Sequence, residues 1–100
     1  MEPKRLHILR MKAIAEPEMD LALERAGLSK IGMFMMMHPK AMETEGKGVF
    51  EYAIHENGSD VPSVKARAKV DMFSGHVQAE ASASGWSPWS PTSQCPQRGR

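Results

Sequence analysis

One cysteine, Cys95, stands in a chain of 100 residues. No disulfide can close within the chain, so packing alone is expected to hold the fold, and a cytoplasmic, reducing setting is expected. Long apolar runs are also missing. The longest, Met33 to Met37, falls far short of the roughly 20 residues that span a bilayer, so no membrane partner is expected. Met1 to Lys12 interleaves Lys4, Arg5, Arg10 and Lys12 with Leu6, Ile8, Leu9 and Met11, and so lacks the unbroken apolar stretch of an export signal. The formal net charge is only +1, too weak a field to gather nucleic acid or anionic lipid from a distance.

Catalytic and metal signatures are scarce. His7, His38, His55 and His76 are widely separated, and none has a second ligand at a spacing typical of zinc. No G-x-S-x-G elbow, P-loop or paired-glycine phosphate loop accompanies the serines, histidines and carboxylates present. No cofactor is expected, and nothing in the chain points to an enzyme. The run from Met33 to His38 carries thioethers and an imidazole suited to Cu(I), but alternation on a strand separates Met33, Met35 and Met37 from Met36 and His38. Adaptable apolar filler is the plainer reading of those methionines, and no metal is expected.

What is present is an ordinary globular balance, 41% hydrophobic and 25% charged, in a length that suits one domain. From Arg5 to Ala15 the apolar residues alternate in two opposite phases, which a strand with one bulge near Ile8 and Leu9 would accommodate. A helix competes there, because Leu6, Leu9 and Ala13 also fall near one stripe. Pro17, followed by Glu18 and Asp20, predicts a helix over Pro17 to Ala26 that buries Met19, Ala22, Leu23 and Ala26 and ends at Gly27. Lys30 to Met37 is apolar on both faces and reads as a central strand. Glu43 to Gly48 reads as a loop.

Strands are predicted from Val49 to His55 and from Ser63 to Phe73, joined by a reversal at Asn57 and Gly58. In the second of them Val64, Ala66, Ala68, Val70 and Met72 alternate with Lys65, Arg67, Lys69 and Asp71. A further strand is predicted from Val77 to Ala83, although its alanines also suit a helix. The expected fold is α+β, one main helix packed on a mostly antiparallel sheet of four or five strands. Residues 1–84 form the domain in this reading. Residues 85–100 form a tail, extended by Pro88, Pro91 and Pro96. A right-handed crossover would join the first and third elements if their strands were parallel.

The most specific string is Trp86-Ser87-Pro88-Trp89-Ser90. It resembles the W-S-x-W-S box of the class I cytokine receptors, and that resemblance implies a ladder in which Lys65, Arg67 and Lys69 stack on the two tryptophans, each contact contributing about 0.5 to 2 kcal/mol. The chain lacks the paired cysteines and preceding strands of such a receptor domain. The spacing is also similar to the start of a thrombospondin type 1 repeat, but Thr92 and a lone Cys95 stand where that repeat has structural cysteines. Two other readings apply: the tail folds back and packs its tryptophans on the sheet, or it docks in a partner's groove.

The expected function is a small non-enzymatic protein-binding or regulatory module. Its expected binding residues are Trp86 and Trp89 of the tail and the basic face of Lys65, Arg67 and Lys69. A protein is thus the expected partner, with self-association through an exposed sheet edge as a second route. A nucleic-acid surface built from Lys65, Arg67, Lys69, Tyr52 and Phe73 is the lesser alternative, because a solvated basic strand face explains the same cations.

Overall fold

Met11, Ala15, Met19 and Leu23 recur every fourth residue, and all four are buried on one stripe of α1, Ile8–Arg25. This stripe carries the helix back through the segment expected to be a strand. The two-phase alternation of Arg5 to Ala15 needs a bulge to make one face, whereas the four-residue period needs none. Pro17 lies inside the helix rather than at its start, on the exposed side. Its ring leaves the Ala13 carbonyl without an N–H donor, and Ala13 is itself an exposed residue. His7 caps the start, its Nδ1 accepting from the Leu9 amide at 3.2 Å.

The end of α1 is sharply built. Gly27 takes φ +73°, its amide donates to the Glu24 carbonyl at 3.0 Å, and the Leu28 amide donates to the Leu23 carbonyl at 2.9 Å. This is a Schellman closure, with half-buried Leu28 packed against the core that holds Leu23.

The computed structural model describes residues 6–56 and 58–90. After α1 come β1 (Phe34–His38), a short α2 (Lys40–Thr44), β2 (Lys47–Ile54), β3 (Ser63–Asp71) and β4 (Val77–Trp86). The strands form an antiparallel meander in the order β1-β2-β3-β4. The fold is therefore α+β, one main helix on a four-stranded antiparallel sheet. Because the first described element is a helix and every pairing among the described strands is antiparallel, no crossover arises among the described residues.

Three sequence expectations change. The methionine strand lies at the edge of the sheet and not at its centre. Its two apolar faces reflect cover from different elements: Met35 packs towards the α1 core, while on the other face Phe34 stacks on His55 and His38 lies against Trp89. Glu43 to Gly48 is only partly loop, since α2 reaches Thr44 and β2 begins at Lys47. β4 runs through Gly85 to Trp86. The reversal expected at Asn57 and the tail positions from Pro91 to Arg100, Cys95 among them, lie outside the described residues. No helix among the described residues is long and apolar enough to cross a membrane.

The core lies between α1 and β2, β3 and β4, where the helix stripe meets Phe50, Tyr52, Ala66, Ala68 and Val70. The run of alanines in β3 has a steric purpose here. Small residues let the helix axis approach the sheet while Phe50 and the methionines fill the remaining space. At the turn after β3, the Asp71 carboxylate accepts the Phe73 and Ser74 amides, both at 2.9 Å, and these bonds hold its pKa below the ordinary carboxylate range.

Tyr52 reaches through this core to the exposed pair of Lys30 and Asp20, which are 3.1 Å apart, with the Lys30 ammonium 5.5 Å from the centre of its ring. Burial, then the charge and hydrogen bond of Asp20, push the phenol above its ordinary value of 10.0. Its raised folded value means that the stability it contributes is complete below the unfolded value and is lost as pH rises past about 10. Tyr52 is the chain's one tyrosine, so phenolate absorbance reads it alone. The midpoint is expected above 10 and lower in Asp20→Asn; a midpoint at the ordinary value, or one indifferent to Asp20, would contradict this account.

Candidate functional site

The face of the sheet turned away from α1 carries the unusual chemistry. Alternation along β2 puts Val49, Glu51 and Ala53 on this face, and Glu51 is fully buried there. An ionised carboxylate at such a place demands donors. Arg67, directly across in the register, donates from Nε to Glu51 Oε2 at 2.5 Å. His38, diagonal on β1, places Nε2 2.6 Å from Oε1, within hydrogen-bond reach. The backbone amide of Trp89 donates to both oxygens, at 3.2 and 3.1 Å. Three segments far apart in sequence thus converge on one side chain.

Residues 87–90 cross this face as a strap. Trp89 is 7% exposed and packs with Ala41 of α2 and Val49 of β2 in a second small core. Its indole Nε1–H donates to Glu45 Oε2 at 2.9 Å, and the His38 ring lies tilted against it with centroids 5.4 Å apart. Arg67 donates a second time, from Nη2 to the Ser87 carbonyl at 2.9 Å, and its guanidinium lies 5.5 Å from the centre of the Trp86 ring.

A bulge lies where β3 meets β2 and β4. Along β2 and β3 the partners run Tyr52 with Ala66 and then Ala53 with Val64, so Lys65 is an extra residue. Val64 thereby shares the face of Ala53. On β4 the pairing passes from Ala81 with Ala66 to Trp86 with Val64, and alternation from Glu80, the partner of Arg67, sets Trp86 on the face of Arg67, where its ring meets the guanidinium. Lys65 itself is 7% exposed; its ammonium donates to the Ala83 carbonyl at 2.8 Å and pairs with Glu56 at 3.1 Å. Gly85 follows with φ +81°, and a Cβ there would overlap the Ser63 hydroxyl.

The sequence-derived residues therefore meet on one face, in roles of their own. Of the three cations in the expected ladder, Arg67 stacks on a tryptophan. Lys65 closes the bulge, and Lys69 pairs at 3.4 Å with Glu45, the acceptor for Trp89. Tyr52 does not belong with them: paired with Ala66, it faces α1, because residues 52 and 67 have opposite phase on the meander. Phe73 lies beyond β3 in the turn and is exposed. Sequence reasoning missed Glu51, Glu45 and the pairing of His38. Glu51 was findable, since it alone breaks the apolar set Val49, Ala53 on a strand otherwise rich in core residues.

At the open end of β1 the strap leaves a hollow of about 220 Å³ lined by Met37, His38, Pro39, Lys40, Trp89 and Ser90. The outer side of β1 itself pairs with no strand among the described residues. Phe34 is 39% and Met37 43% exposed, on opposite faces of that edge, and Ile31 just before it is 87% exposed. No family model, curated protein or solved structure matches the chain, so its geometry alone bears on function.

Removing one member of a buried ion pair leaves the other uncompensated, at a cost of about 3 to 5 kcal/mol. Arg67→Met is expected to lose stability of that order in urea denaturation, and in a Trp86→Phe background to turn the Trp89 emission redder and open to iodide. Glu51→Met combined with Arg67→Met is expected to recover part of the loss. Additive losses in the double variant would show that the two side chains do not depend on each other.

Proposed function

We propose that this chain is a small non-enzymatic protein-binding module that takes an extended segment of a partner along the outer side of β1. The observation that carries the reading is the edge itself. From Phe34 to His38 it has neither lysine, proline nor bulge to turn away another strand, and its one titratable side chain, His38, is turned to Glu51. Backbone pairing along such an edge supplies affinity, and pockets for alternate side chains supply selectivity. Phe34 and Met37 offer apolar contact on the two faces, and the hollow beside Trp89 offers a place for a side chain beyond the strand's end.

Trp86, Trp89, Lys65, Arg67 and Lys69 enter this reading as the framework of the binding surface. Held by Glu51 and Glu45, Trp89 stands as a rigid aromatic wall of low entropy cost to any ligand that meets it. We place the module in the cytoplasm, where a chain with one thiol needs no oxidising machinery.

Selection from phage-displayed random peptides tests the proposal. Binders are expected to be extended and apolar at alternate positions, and to lose affinity by about tenfold or more against the Phe34→Lys, Met37→Lys double variant. Both positions are partly solvent-accessible, so the double variant is expected to keep the fold, read as an unchanged far-UV circular dichroism spectrum. A selection that yields no peptide, or peptides indifferent to the two lysines, would overturn the reading; sensitivity to Trp86→Ala instead would move the site to the strap and its basic row.

A further inference from the structure

We infer that the partner taken by β1 is a second copy of this chain, the two strands pairing antiparallel about a two-fold axis at Met36. The inference rests on the proposal that β1 is the contact edge, and it names the occupant. About that axis Phe34 lies opposite His38 of the second copy, Met35 opposite Met37, and Met36 opposite itself. Apolar side chains then meet apolar side chains on one face, and an aromatic ring meets an imidazole at both ends of the other. No lysine, arginine or carboxylate lies in the paired strand, so the two-fold brings no like charges together. His38 is already engaged by Glu51 within its own chain. Methionine, unbranched and polarizable, adapts to a self-facing seam better than a β-branched residue would.

The two edges of the sheet are unlike, and that difference selects the symmetry. β4 presents Gln78, Glu80, Ser82 and Ser84, and the hydroxyls of the two serines bond to each other at 2.9 Å. The irregular pairing between Val64 and Ala66 disturbs this edge further. Pairing β1 of one copy on β4 of another would set one apolar side of β1 against that polar row and would propagate without end. Pairing β1 on β1 closes at two copies and makes one eight-stranded sheet from two sheets of four. An interface of two five-residue strands is smaller than the roughly 1,200 Å² of a standard specific interface, so the dimer exchanges with monomer at micromolar concentrations.

Sedimentation velocity of the full chain, kept reduced so that Cys95 forms no intermolecular disulfide, tests this across about 5 to 500 µM. The expected result is a shift from monomer to dimer that stops at two copies, with amide exchange slowing over residues 34–38 as concentration rises. Phe34→Lys with Met37→Lys is expected to stay monomeric throughout while keeping the parent's far-UV circular dichroism spectrum, and only the parent's melting temperature is expected to rise with concentration. A parent that is monomeric over the whole range, a dimer untouched by the lysines, or growth past two copies would each overturn the inference. If the parent stays monomeric but still binds selected peptides in a lysine-sensitive way, the second copy is wrong and the edge is right; if it does neither, both fail.

Discussion

Glu51 has no water to lean on. A carboxylate at the middle of a sheet face must be matched by donors or not be ionised at all, and every group that meets it brings a different part of the chain: Arg67 from β3, His38 from β1 and the amide of Trp89 from beyond β4. Buried ion pairs seldom add net stability over apolar residues of the same shape. Their effect here is to specify position. An apolar residue at 51 would let residues 87–90 lie across the sheet in many registers, whereas a carboxylate with two oxygens admits the one in which the Trp89 amide points at both.

That constraint propagates outward. With the Trp89 amide fixed, its indole falls between Ala41 and Val49 and reaches Glu45, which in turn draws Lys69. With Arg67 fixed, an N–H of its Nη2 holds the Ser87 carbonyl and its guanidinium lies over Trp86. The helix side of the sheet is an ordinary apolar core, indifferent to these details. The molecule thus has two cores of opposite character, one made by volume and one by hydrogen-bond geometry, separated by the thickness of a single sheet.

Much of the sheet was legible in the sequence because period-two alternation is a backbone property that survives tertiary context. Val64 to Asp71 and Val77 to Ala83 read as strands for that reason. Arg5 to Ala15 misled because short apolar residues at both odd and even positions satisfy either period, and only the distant run through Leu23 decides it. The placement of β1 at the edge was not legible: an edge strand with His55 and Trp89 against one face and the helix core against the other has the same composition as a central one. The expected ladder of cations on tryptophans was readable as a meeting of those residues, but the partners of Lys65 and Lys69 depend on the bulge and on Glu45, which no local pattern announces.

The extra residue at Lys65 has a meaning for how this chain can change over time. Tyr52 with Ala66 and Ala53 with Val64 are consecutive pairs, so Lys65 stands outside the ladder and its loss would leave both pairs on the faces they have. What such a single-codon deletion would remove is the ammonium that meets the Ala83 carbonyl and Glu56. A deletion deeper in β3 shifts the phase of every residue beyond it and turns part of its apolar set away from α1. The length of this strand can therefore drift at the bulge without inverting a face.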